Sequence, residues 1–238
     1  MCVLAFAWRA HPDWPLVAIA NRDEFHARPT AALARWDDDI VAGKDLRSGG
    51  TWLGVGAGRF VALTNLRSDS PPDPGAPSRG GLVTALLTGS EPAALALDGY
   101  SPFTLACLDS DQAWLLSNRP EPARIALEPG VHGLTNGPFD RPWPKLASLK
   151  AALAGWLEGG SPDPAPLFAA LADERVPEGA FDEATALPAF IRRPVYGTRC
   201  STVVTVNAEG RGRIVERRFA ESGETTGETA LDFAWPSP

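Results

Sequence analysis

The chain has 238 residues, of which 44% are hydrophobic and 21% charged, and its net charge is −7. That length fits one large domain or two small ones, and the composition is that of a soluble globular protein. The acidic balance leaves no electrostatic footprint for nucleic acid or for an anionic membrane surface, and no apolar run approaches the ~20 residues of a membrane span.

The first elements are two apolar runs. Residues 3–8 read as a buried strand, residues 11–15 as a turn, and residues 16–20 as a second strand that ends in Asn21, Arg22, Asp23 and Glu24. In an antiparallel hairpin the start of the first strand neighbours the end of the second, so Cys2 lies beside this polar cluster. The stretch lacks a basic leader and is interrupted by Arg9 and Asp13, which argues against a signal peptide and for a cytoplasmic location. Residues 28–30 break the strand, and residues 36–45 read as a short strand or turn. Residues 48–56 are rich in glycine and let the backbone pass close to a neighbour. Residues 51–55 and 60–65 form a second hairpin, followed by an exposed loop over 68–78.

The spacing predicts helices over 80–89, 92–97, 144–157 and 166–172. A third hairpin pairs 103–108 with 112–118, and further strands cover 124–127 and 130–136. Residues 181–194 read as a loop, and the chain closes with strands at 201–206 and 213–219. Strands first, helices in the middle and strands again predict one α+β domain over residues 1–238, with mostly antiparallel sheets and helices on the outer faces. The eight tryptophans suit core packing first and a pocket wall second.

Cys2 is the leading chemical candidate. Removal of Met1 would give it a free α-amine, whose ordinary pKa of ~7.7–8.0 suits it to act as base for its own thiol. The competing reading is a small residue at a strand edge. Arg22 is placed to lower the thiol pKa and Asp23 to hold the amine. Two strand ends share the sequence Leu-Thr-Asn, at residues 63–65 and 134–136. Asn65 and Asn136 are turn formers by composition and oxyanion donors by chemistry. Arg199 precedes a late strand and suits a carboxylate or a thiolate, whereas Cys200 reads as structural because no histidine lies near it to activate it. Three cysteines and three histidines are too sparse for a zinc site or a disulfide framework, and no phosphate loop or GxSxG elbow occurs.

Met1–Cys2 with Asn21-Arg22-Asp23-Glu24, residues 48–54, residues 63–65 and residues 197–202 together resemble the NRDE family, the transport and Golgi organisation 2 proteins, over nearly the full chain. The resemblance implies kinship with N-terminal nucleophile hydrolases of the choloylglycine hydrolase type and a four-layer αββα sandwich. It implies Cys2 as nucleophile, with Arg22, Asp23, Asn65, Asn136 and Arg199 as catalytic partners. It does not apportion the roles of Arg22, Asp23 and Glu24. Asn21, Glu24 and Trp52 are candidate substrate contacts. The implied reaction is cleavage of a linear, non-peptide amide of a small acylated substrate, with no metal or cofactor. The alternative is a non-catalytic carrier of haem, lipid or acyl-coenzyme A in the same pocket, with Cys2 as a possible axial ligand. Either way the expected partner is a small molecule.

Overall fold

The amino-terminal apolar runs form the hairpin their pattern predicts, lengthened at both ends. In the computed structural model, which describes residues 2–68, 75–139 and 143–236, β1 spans Cys2–His11 and β2 spans Trp14–Phe25. There follow β3 (Thr30–Arg35), β4 (Val41–Asp45), β5 (Leu53–Gly56), β6 (Arg59–Asn65), helix α1 (Gly80–Leu87), β7 (Phe103–Leu108), β8 (Ala113–Ser117), β9 (Ala123–Ala126) and β10 (Gly130–Leu134). Helices α2 (Pro144–Glu158) and α3 (Ala165–Leu171) precede β11 (Tyr196–Val206), β12 (Arg211–Phe219) and β13 (Thr225–Ala234). Contacts divide the chain into two compact units, Met1–Ala27 with Pro129–Asp232 and Arg28–Glu128 with Phe233–Pro238.

The first unit holds a six-stranded sheet in the order β10-β1-β2-β11-β12-β13. Strand β1 pairs antiparallel with β10 and β2, and β11 pairs antiparallel with β2 and β12. Val3, Ala5, Val17, Ile19 and Val203 pack against Leu146, Leu149, Leu153 and Leu167 of α2 and α3. Each fully buried leucine contributes roughly 1.5–3 kcal/mol relative to exposure. Both faces of β1 and β2 are buried, which is why these strands read as unbroken apolar runs. Helix α2 starts on Pro144, whose missing N–H costs nothing in a first turn. It comes close to the sheet at Gly133, where a Cβ would lie 2.6 Å from the Leu4 carbonyl and collide with Leu146.

The second unit holds a seven-stranded antiparallel meander in the order β3-β4-β5-β6-β7-β8-β9. Helix α1 covers one face, with Leu82, Val83, Leu86 and Leu87 against Val61, Leu63, Phe103 and Leu105.

Several expectations are corrected. The helix expected at 92–97 is a single 3-10 turn, Pro92–Ala94, because Leu95 is already extended. Strand β3 was hidden by its alanines, which carry no strand preference; pairing with β4 imposes it. Strand β13 was hidden because its alternating residues are only half buried. Residues 196–200, expected ahead of the strand at 201–206, lie inside β11. The exposed loop expected at 68–78 falls in part, at 69–74, outside the described residues, as does Met1. The expected absence of helix or strand from 181–194 matches the structure. Among the described residues no helix is long and apolar enough to cross a membrane.

Candidate active site

The site is built from strand register. Cys2 is the first residue of β1 and pairs with Arg22 of β2, which pairs on its other side with Cys200 of β11. Directly paired residues share a face, so Cys2, Arg22 and Cys200 form one row across three strands. With β2 between them, the backbones of Cys2 and Cys200 stand roughly 10 Å apart, too far for a disulfide.

One residue further along, the register shifts. Strand β11 carries an extra residue, Arg199, between Thr198, which pairs with Asp23, and Cys200, which pairs with Arg22. The bulge re-aims the side chains that follow it. Thr198 donates its hydroxyl to Asp23 Oδ1 at 2.7 Å and accepts the Ile191 N–H at 2.9 Å, so the carboxylate is held by a hydroxyl that is itself held. The Tyr196 hydroxyl donates to the Asp23 carbonyl at 2.8 Å. From β10 the chain runs on to Asn136, which is buried, and Cys2 N–H donates to Asn136 Oδ1 at 2.8 Å. Gly137 follows, where a Cβ would run into the Trp143 indole.

The electrostatics are those of buried charge. Asp23 is 3% exposed, and burial pushes its carboxyl up to about 6 although Lys145 draws it down. Burial also raises the Cys2 thiol. The chain's terminal charge opposes this, Asp23 adds to it, and a hydrogen bond from the Asp23 backbone together with the Arg22 charge draws it back. Burial raises Cys200 well above its ordinary value, with Glu216 adding to the effect. Arg22 is itself buried, with Nη2 4.0 Å from Glu24.

The structure therefore brings together Cys2, Arg22, Asp23 and Asn136. Other expected site residues are placed differently. Both amide hydrogens of Asn21 go to backbone, at Leu171 O and Ala189 O (2.8 Å each), and its oxygen accepts from Ser201 at 2.6 Å. Asn21 thus fastens α3 and the 184–191 segment to the sheet. Glu24 accepts the Phe25 N–H at 2.9 Å. Arg199 is partly buried and donates to the backbone carbonyls of Phe25 and His26 at 3.0 and 2.9 Å. Asn65, exposed at the end of β6, and Trp52, whose carbonyl accepts the Leu63 N–H, belong to the second unit.

The residue that sequence reasoning missed is Lys145, 1% exposed in the first turn of α2. Its signal was legible. Carried one turn back, the buried stripe of Leu149, Leu153 and Trp156 lands on position 145, where a lysine stands among apolar residues. Lys145 is also in the wall of a cavity of about 540 Å³ between α2, the end of α3 and the 173–178 segment, lined by Leu149, Ala152, Ala170 and Val176. Among the described residues, no group of three or more His, Cys, Asp or Glu side chains is arranged to hold a metal ion.

The family model described as "Transport and Golgi organisation 2" matches residues 1–221. The chain is similar to the Transport and Golgi organization protein 2 homolog of Bos taurus, with 31% identity over 96% of this chain and 97% of that protein. The homolog of Homo sapiens is 30% identical over the same shares. Transport and Golgi organization protein 2 of Drosophila melanogaster is 39% identical over 38% of this chain and 36% of its own length.

Proposed function

The chain belongs to the transport and Golgi organisation 2 family, and from that premise we propose that it is a hydrolase that cleaves a linear, non-peptide amide of a small acylated substrate with Cys2 as amino-terminal nucleophile. The observation that carries this reading is the hydrogen bond from Cys2 N–H to Asn136 Oδ1, with Arg22 and Asp23 buried beside the same residue. After removal of Met1 that nitrogen is a free amine, and Asn136 and Asp23 are placed to orient it. The proposal includes kinship with N-terminal nucleophile hydrolases and their αββα stacking. In support, each unit supplies one sheet with helix packed on one face, α2 and α3 in the first and α1 in the second.

The α-amine takes the thiol proton, and the thiolate attacks the substrate carbonyl carbon. The carbonyl oxygen becomes an oxyanion, for which a backbone N–H is the proposed donor. The ammonium then gives its proton to the leaving nitrogen, the C–N bond breaks and a thioester remains. Water, deprotonated by the same amine, attacks the thioester; the acid leaves and the thiol is restored. Arg22 favours the thiolate.

The test pairs the intact mass of the purified protein with turnover of a panel of N-acyl amines by wild type and Cys2→Ala. A mature chain beginning at Cys2 and loss of turnover in the variant, by a thousandfold or so, are expected for a deleted nucleophile. Retained Met1 in an active preparation, or undiminished turnover by Cys2→Ala, overturns the proposal.

A second reading is carriage of haem, a lipid or an acyl-coenzyme A without chemistry. The cavity beside α2 favours it, since about 540 Å³ is the size of a small-molecule site. Haem titration of wild type and Cys2→Ala decides: a Soret shift supports carriage whether or not it survives the loss of Cys2, which does not line this cavity, and amide turnover without a shift supports hydrolysis.

A further inference from the structure

Lys145 carries the inference. It lies on the buried stripe of α2, four residues before Leu149 and eight before Leu153. Lysine stems ordinarily lie along an apolar surface and release the ammonium to water. Here Nζ is buried with no hydrogen-bond partner among the described residues. The Trp143 ring centroid is 5.8 Å away, near the limit of a useful cation–π contact. Leucine or methionine at this position would continue the stripe without burying a charge, and replacing buried charge by apolar side chains is commonly neutral or stabilising. Packing therefore does not account for the lysine. Burial draws the Lys145 ammonium below its ordinary value, and the charges that oppose this are those of Asp23 of β2 and Cys2 of β1, the two residues central to the site.

We infer that Lys145 is a positioning residue of the Cys2 site, its ammonium holding Asp23 ionised and drawing negative charge onto the Cys2 sulfur as the thiol gives up its proton. Its meaning for catalysis rests on the hydrolase reading; its effect on Cys2 does not. Asp23, raised by burial to about 6, is held down first by Lys145, then by the chain terminus, Thr198 and Arg22. Without Lys145 that carboxyl climbs towards neutrality and ceases to be a reliable anion for the amine. Cys2 faces Asp23 and Arg22 from β2, Cys200 from β11 and the terminal ammonium, so Lys145 is the cation contributed by α2. The burial of Nζ also separates this role from the cavity whose wall Lys145 joins, because the charge has no surface to offer a ligand there.

The experiment follows the rate of iodoacetamide alkylation at Cys2, resolved by peptide mass spectrometry, from pH 6 to 10. It compares wild type with Lys145→Met, Lys145→Gln and Lys145→Arg, with thermal melting and amide turnover measured in parallel. The neutral variants are expected to fold with an unchanged or raised melting temperature. Their Cys2 alkylation at pH 7 falls about tenfold, because the profile moves up by about one pH unit. Lys145→Arg keeps the wild-type profile. A neutral variant whose profile superimposes on wild type overturns the inference. So does failure of both neutral variants to fold, which would make Lys145 one half of a structural ion pair. If wild type turns over no amide yet the profile shifts, the hydrolase reading fails and the assignment of Lys145 stands. If turnover is present and the profile does not move, Lys145 alone is wrong.

Discussion

The two units follow a similar plan, an antiparallel sheet with two helices on one face in the first and one helix in the second, but they differ in what they bury. Among the described residues, the polar side chains that the second unit buries are Thr51, Thr64, Thr104 and Asn118, all neutral. The first buries Arg22, Asp23, Lys145 and Glu216 beside its neutral residues. Asn118 shows what buried polarity does when it serves architecture: it accepts the Phe103 N–H at 3.1 Å and donates to the Tyr100 carbonyl at 2.8 Å. Asn21 plays the same part in the first unit. The charges differ in kind. A sheet with helix on one face needs no buried ions, and ions cost more to desolvate than amides. Among its described residues the second unit builds its sheet and helix without them.

The largest expected effect tests the architectural side of the comparison. Asn21→Ala removes three buried hydrogen bonds and leaves two carbonyls and the Ser201 hydroxyl to find new partners. A loss of about 4 kcal/mol in urea denaturation is expected, against about 3 kcal/mol for Asn118→Ala, which breaks two. If Asn21→Ala keeps its stability but slows Cys2 alkylation, Asn21 belongs with the reactive residues and the division drawn here fails.

Much of this was legible in the sequence. The first hairpin, the 103–118 hairpin and α2 were marked by apolar runs or helical spacing, and the hairpin alone puts Cys2 opposite Arg22. The sequence could not show the bulge at Arg199, because one extra residue leaves no pattern in an apolar strand. That bulge decides that Thr198, rather than its neighbour, meets Asp23. Nor could it show Asn21 turned to α3, since its partners lie 150 and 168 residues away. Lys145 was legible and overlooked, because a lysine in a first turn ordinarily points to water.

Next in size is the pH dependence that the buried charge confers. Asp23 has an ordinary value of 3.8 and a folded value of about 6, so the folded state holds this proton more tightly than the unfolded state. The stabilisation is fully present below about pH 4 and is lost as pH rises through about 6, a change on the order of 3 kcal/mol. Asp23→Asn keeps an acceptor for Thr198 and cannot titrate. Urea denaturation from pH 3.5 to 7.5 should show that slope in wild type and its loss in the variant. Coincident slopes would mean that the buried charge of the first unit does not set its stability.

The smallest effect separates burial from activation. Cys107 lies in β7 between Val61 and Trp114, inside the apolar cluster of the second unit, and burial pushes its thiol up to about 12 although Arg59 draws it down. Cys2 is also raised by burial, but the chain's terminal charge, a backbone hydrogen bond from Asp23 and the Arg22 charge draw it back. At pH 8 a thiol near 12 is ionised in about one molecule in 10⁴. Iodoacetamide should therefore reach Cys2 at least tenfold faster than Cys107 in the same sample. Cys107→Ala should cost about 1 kcal/mol, the loss of one small apolar group from a packed cluster, and leave the Cys2 profile where it was. Equal rates at the two cysteines would show that local unfolding rather than local charge governs both. The buried ions of the first unit would then need another explanation.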